Sequence, residues 1–357
     1  MNAPRRPGAQ QQHYVPRHLL RGFLSNDANE ARKEQVRVFD LREGKALPPT
    51  NIANIMGERR YNEWWVDDET LLTIEPGVGK IEHHVFPLIS RIRAQQKLEL
   101  STKEHGDIAL LLAFQFVRAK KMREMILRMD NHLRNAIEKR GWKMDQVNGY
   151  ESPTEDSVKR DHTRQQIRSL AKYTEIMADK VFFLAKAPPE TSLYLGDNPV
   201  VMANDEDQRP WGSIGIAAPF IQIYMPISSN LLLCAYSKEV LGQWMRKHDE
   251  TMNETRRIAI ANVMSGKLPV SMMKELLDRV DASDGLNALR DNVRAGIPTM
   301  LEPDMVDRYN SLQAFYAVRW VVDSRGRFEV AKSTMPNRQR AADEEAGTRR
   351  KGNDRNA

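Results

Sequence analysis

Between Ser192 and Ser237 the apolar residues stop recurring every three or four positions. They fall instead into short runs, Ser192–Leu195, Val200–Ala203, Ile221–Met225 and Leu231–Ser237, separated by Gly, Asn, Asp and Pro. That is the composition of a strand meander with turns between the strands. Helical spacing surrounds it on both sides. Upstream, Ile81, Val85, Leu88 and Ile92 line one face of Val78–Gln95. Ser101 with Glu104 forms a capping box, which predicts a long helix to about Met129, and Asn131–Lys143 continues in register. Ser152-Pro153-Thr154-Glu155 opens another helix, expected to reach about Ala185 before Pro188 and Pro189. Downstream, Lys238–Lys247, Glu250–Val263, Val270–Val280 and Pro303–Tyr316 read as helices. Arg319–Val322 and Phe328–Ala331 read as a closing hairpin around Ser324-Arg325-Gly326. Near the start, Pro16 suits the first turn of a short helix, Gln35–Leu41 alternates as a strand, and Glu58–Val66 favours a second strand. The expected class is α+β, predominantly helical with a small antiparallel sheet or meander. The pattern leaves open whether the two β-segments join in one sheet.

The charge is informative only once it is located. The chain of 357 residues carries a net +6. Arg5 and Arg6, with no acid, put +2 on residues 1–12. Arg338, Arg340, Arg349, Arg350, Lys351 and Arg355 against Asp343, Glu344, Glu345 and Asp354 put another +2 on residues 335–357. Both ends are poor in large apolar residues and are expected to be disordered tails around one domain spanning 13–334. Inside that domain one stretch is strongly basic. In residues 117–140, Arg118, Lys120, Lys121, Arg123, Arg128, Arg134, Lys139 and Arg140 oppose only Glu124, Asp130 and Glu138. A basic helix on a nearly neutral body can follow a phosphate backbone, so Lys120, Lys121, Arg123 and Arg128 are candidate nucleic-acid contacts. A solvated helix face explains the same composition.

Several classes lose support. The single cysteine excludes a disulfide scaffold, and its apolar surroundings, Leu231–Tyr236, suit a buried thiol. No run reaches the roughly 18 apolar residues of a membrane span, and no secretory signal is visible, so a soluble cytoplasmic protein is expected, without membrane association. The eight histidines contain no His-x-x-x-His pair, and no zinc is expected. No glycine-rich phosphate loop or nucleophile elbow is present, and no nucleotide cofactor is expected.

The block His13-Tyr14-Val15-Pro16-Arg17-His18-Leu19-Leu20-Arg21-Gly22-Phe23 resembles the opening signature of the domain of unknown function 4238 family. Ile81-Glu82, Gln115-Phe116-Val117-Arg118, Gly196-Asp197-Asn198-Pro199-Val200, Tyr224–Ser228, and Asn310 with Ala317 are similar to its later elements. Gly196 stands where the family usually has Ser. The resemblance covers residues 13–322 and implies a site without implying a reaction.

The same residues carry chemistry on their own terms. Asp197 follows an apolar strand, where a carboxylate can hold a metal or act as a base; an Asx-turn accounts for it equally. Pro199 holds Asn198 out of the helical region. Gln115 and Arg118 share a helix face with Leu111 and Met122, so a guanidinium is placed where core is expected. It then needs an anion: Asp197, Glu82, a chain carbonyl or a ligand phosphate. His13 reads as base, ligand or phosphate contact, or as a packed ring at the start of a helix.

These readings converge on a divalent-metal-dependent phosphodiester hydrolase, nuclease-like, with magnesium or manganese on Asp197 and Glu82 or Glu75. Its candidate catalytic residues are His13, Arg17, Gln115, Arg118, Asp197 and Asn198. The alternative is a non-enzymatic module binding nucleic acid or protein, in which the motif residues are scaffold and Arg118 pairs with Asp197.

Overall fold

The computed structural model describes residues 11–204, 215–282 and 285–339. The chain opens with β1 (Gln11–His13), α1 (Arg17–Leu20) and α2 (Ala28–Arg32). The hairpin β2 (Gln35–Asp40) and β3 (Lys45–Asn51) follows, then β4 (Gly57–Arg59), β5 (Glu63–Trp65) and β6 (Leu71–Thr73). Four helices occupy the middle: α3 (Glu75–Gln95), α4 (Thr102–Arg118), α5 (Lys120–Glu138) and α6 (Glu155–Ala178). Helix α6 stops at Ala178 and not at about Ala185 as expected, and β7 (Val181–Lys186) follows as a strand. The meander then supplies β8 (Leu195–Gly196), β9 (Val201–Ala203), β10 (Gln222–Ser228) and β11 (Leu231–Tyr236). Then come α7 (Lys238–Met264), α8 (Val270–Ala282), α9 (Gly285–Ala295), β12 (Thr299–Met300), α10 (Pro303–Tyr316) and β13 (Trp320–Asp323). Residues 329–339 form a last helix, α11. The fold is α+β with helix predominant.

Among the described residues the two β-segments share a sheet only through β8. Strands β9, β10 and β11 of the meander join β7 and β12 in a five-stranded sheet of order β12-β7-β11-β10-β9, antiparallel except for β12 beside β7. The amino-terminal hairpin builds a four-stranded sheet of order β3-β2-β13-β8, so β8 leaves the meander for the other sheet. Burial on both faces explains why the meander strands are apolar runs rather than alternating patterns. Ile223, Met225, Leu231 and Leu233 face a core shared with α3 and α4 (Ile89, Ile92, Ile108, Leu112). Tyr224, Leu232, Cys234 and Tyr236 face a second core with Val306 and Tyr309 of α10. Cys234 is the expected buried thiol, and burial pushes its pKa up.

Helix α4 begins at the expected capping box, with Ser101 and Glu104 bonded reciprocally. It does not run to Met129. At Ala119 the backbone turns extended (ψ 145°) before α5 begins. The cause is tertiary. Tyr61 Oη donates to the Arg118 carbonyl (3.0 Å), and His162 Nε2 bonds the Val117 carbonyl (2.9 Å). Two buried side chains thus satisfy carbonyls that a continuing helix would use itself. Arg123 of α5 then lies over the Tyr61 ring at 3.6 Å and donates to His162 Nδ1 and to the Tyr61 carbonyl.

Other expectations are also corrected. Phe328–Ala331 is not a strand; β13 pairs instead with β2 and β8, and Phe328 leads into α11. Glu58–Val66 divides into β4 and β5, whose partners differ. The pieces expected at 238–247 and 250–263 are one helix, α7. Described residues on both sides of the 13–334 span also make contacts. Gln11 and Gln12 pair with Arg59 and Glu58, and Arg338 of α11 donates to the carbonyls of Ala314, Phe315 and Ala317, capping α10. Among the described residues no helix is long and apolar enough to cross a membrane.

The buried joint makes stability pH-dependent. Burial and the Arg123 charge lower the pKa of His162 from 6.5 to about 3. The unfolded chain therefore binds a proton that the folded chain refuses, and stability falls as pH drops below 6.5. The slope is about 1.4 kcal/mol per pH unit. Between pH 6.5 and 5, His162 is expected to remove about 2 kcal/mol in urea unfolding. His162→Gln, which keeps a donor and an acceptor, should flatten that dependence.

Candidate functional site

The segment His13–Pro16 is held on every side by backbone bonds. β1 pairs with β4, and the Tyr14 and Val15 amides both donate to the Met56 carbonyl (3.1 and 3.3 Å). From beneath, α4 supplies the two polar residues on its core face. Gln115 Nε2 donates to the Tyr14 carbonyl (2.9 Å). Arg118, only 2% exposed, donates to the His13 carbonyl through Nη2 and to Glu82 Oε1 through Nη1 (2.6 Å), above the Phe114 ring. The buried guanidinium thus takes two of the four expected partners, a chain carbonyl and Glu82. Asp197 is not one of them, so the expected Arg118–Asp197 pair does not exist.

This tie leaves the His13 side chain on the outer side. Its Nε2 bonds the Ile52 carbonyl (3.0 Å), which fixes the ring. Gly57 makes room for it, since a Cβ there would stand 3.2 Å from the ring and 3.0 Å from the Gln12 carbonyl. Among the described residues Nδ1 has no partner. Burial lowers the His13 pKa, with Arg17 and Arg118 adding to the effect, so the ring is neutral at neutral pH. With Nε2 donating to Ile52, Nδ1 carries the lone pair.

His13, Arg17, Glu75, Glu82 and His83 line one open cleft of about 730 Å³ between α1 and α3, together with His18 and Ser90. Arg17 is exposed at the start of α1. His18 bonds Ser90 (2.8 Å), stacks on Phe86 and is also lowered in pKa by burial. Glu82 commits one oxygen to Arg118, and Glu75 commits one to Asn62 (2.7 Å). The cleft therefore combines a neutral imidazole, an exposed guanidinium and two half-committed carboxylates. Among the described residues no group of three or more His, Cys, Asp or Glu could hold a metal ion.

Asp197 lies elsewhere. Fully buried, it accepts the backbone N–H groups of Val318 (2.6 Å), Arg319 (2.9 Å) and Trp320 (3.1 Å) where α10 passes into β13. Burial raises its pKa despite these donors. It is neither beside Glu82 nor in a local Asx-turn; it anchors a distant backbone. The chain around it is fixed by amides of α10. Asn310 bonds the Tyr194 amide and the Ser192 carbonyl, while Gln313 bonds the Gly196 amide and the Pro199 carbonyl. A Cβ at Gly196 would come within 2.9 Å of the Gln313 carbonyl, so the close approach of α10 requires glycine there. Asn198 borders a second cavity that shares no residue with the cleft.

The side chains of the basic stretch are largely engaged by partners in this chain. Lys120 bonds Glu58, Lys121 lies over the Tyr316 ring (4.2 Å), and Arg128 pairs with Glu124 (3.8 Å). Arg123 is buried against Tyr61 and His162. These four do not form one free basic face.

With the opening block, Glu82, Gln115–Arg118 and Asp197 all located, one comparison decides kinship. A family model described as protein of unknown function (DUF4238) matches residues 11–327. The chain belongs to the DUF4238 family. No curated protein and no solved structure matches it. Within this member, most motif side chains serve to hold the His13–Pro16 segment and the β8–β13 junction. Sequence reading missed Tyr61, His162 and Arg93. Arg93 donates to the carbonyls of His18 (2.9 Å), Leu19 (3.0 Å) and Ile227 (2.5 Å), clamping α1 to β10. A lone arginine on the apolar face of Val78–Gln95 was the available signal.

Two substitutions test the scaffold roles. Arg118→Leu strips a partner from Glu82 and the His13 carbonyl and should cost about 3–5 kcal/mol in denaturant unfolding. Asp197→Asn sets an NH2 group against backbone donors and should cost about 2–3 kcal/mol.

Proposed function

We propose that the protein is a phosphodiester hydrolase whose reaction centre is the cleft between α1 and α3. The observation that carries this reading is the placement of His13, neutral and with an unpartnered Nδ1, in the same cleft as Arg17 and Glu82. His13 Nδ1 accepts the proton of the attacking water. Arg17 contacts the phosphoryl oxygens, a role suited to a planar guanidinium. Glu75 and Glu82, each with one oxygen uncommitted, are the carboxylates that would hold magnesium or manganese. Such an ion takes one or two carboxylates plus substrate phosphate, and it would offset charge on the phosphate. Arg118 acts from behind as a positioning residue through Glu82 and the His13 backbone.

A second reading, binding without turnover, is favoured by one observation. Gln115, Arg118 and Asp197 each bond this chain's own backbone. It keeps a nucleic-acid or protein ligand and assigns these residues to scaffold.

The test is hydrolysis of bis(p-nitrophenyl) phosphate and of a single-stranded oligonucleotide, with magnesium, with manganese and with chelator. His13→Gln should lower kcat/KM by about a hundredfold or more, and Arg17→Ala by about ten- to a hundredfold. The exposed Arg17 site should change stability by less than about 0.5 kcal/mol. Because the His13 pKa is lowered, kcat/KM should rise with pH along an acid limb lying below 6.5. Intact substrates under every metal condition would overturn the hydrolase reading. Salt-sensitive oligonucleotide retention without cleavage would then support the second.

A further inference from the structure

The Asp-Asn-Pro motif has a consequence that the cleft does not use. Asp197 is pinned by the backbone of residues 318–320 and the Pro199 carbonyl by Gln313, so the residue between them has a fixed aim. Asn198 is 7% exposed, and its side-chain amide has no hydrogen-bond partner among the described residues. An amide held in this way without a protein partner is free to bond a ligand. It borders a cavity of about 770 Å³ whose wall is otherwise mainly apolar, with Phe116, Met122, Tyr173, Ile176, Val200 and Ile216. That volume and lining are those of a small-molecule site.

Among the described residues the charge of the wall is one-sided. No Asp or Glu lines the cavity among the described residues, whereas Lys172 of α6 stands at its edge with no ion pair. Lys121 adds a second ammonium on the same wall. We propose that this cavity binds an apolar molecule ending in a carboxylate, of the medium-chain fatty acid class. The chain lies among the aliphatic, Met and aromatic side chains, whose flexibility suits an alkyl tail. The carboxylate accepts from the Asn198 amide and the Lys172 ammonium. The site is separate from the cleft and stands whether or not the cleft hydrolyses phosphodiesters.

The experiment is isothermal titration calorimetry of the full chain with sodium decanoate, with decylamine as the control of equal length and opposite charge. Saturable one-to-one binding of decanoate, with none of decylamine, is the expected result. Lys172→Glu, at an exposed position, should weaken decanoate about tenfold or more. Ile176→Trp, which fills the cavity, should abolish binding, with circular dichroism showing that the variant is folded. Absence of saturable decanoate binding, equal binding of decylamine, or unchanged affinity in Lys172→Glu would each overturn the proposal. No turnover enters the readout, so its failure is distinguishable from failure at the cleft.

Discussion

A single buried guanidinium orders the amino-terminal half of this protein. Arg118 reaches from the last turn of α4 to the His13 carbonyl and to Glu82 of α3. It thereby joins three segments far apart in the chain. Desolvating a guanidinium is costly without compensating partners, and here a carboxylate, a carbonyl and an aromatic face share the load, although Nε stays without a partner among the described residues. Gln115, one turn earlier, repeats the device on the Tyr14 carbonyl. The result is a backbone segment held rigidly from inside while its His13 and Arg17 side chains face outward. Rigid support of that kind is what a reacting imidazole needs.

How much of this was legible follows from the range of each interaction. Local signals were reliable: the capping box at Ser101 is present as expected, and the polar pair on the core face of α4 did demand an anion and found one. The kink at Ala119 was invisible because its causes, Tyr61 and His162, lie 57 and 45 residues from the carbonyls they bond. For the same reason Phe328–Ala331 looked like a hairpin arm. The strand beside it takes its partners from β2 and β8, and no local pattern announces that.

The candidate site was half legible. His13, Arg17 and Glu82 do share a cleft, although no spacing rule connects residue 13 with residue 82. Asp197 misled because a carboxylate after a strand reads the same whether its partners are a cation or three backbone N–H groups. The basic stretch misled because a sum of charges along it ignores Glu58, which takes Lys120, and the burial that removes Arg123 from the surface. Charge counted along a chain is not charge available at a surface.

The pairing of β13 with β2 also bears on how the protein is made. Trp320 stands opposite Asp40 and Val322 opposite Val38, so the amino-terminal hairpin acquires its inner neighbour only from the far end of the chain. Contacts of such sequence separation carry a large loop-closure cost and slow folding. On the ribosome, β2 and β3 emerge early and wait with an unpaired edge until β13 is synthesised. An unpaired edge is the kind of surface on which nascent chains associate wrongly. Assembly of this domain is thus governed by its last strand, and a holding chaperone would be of most use during that interval.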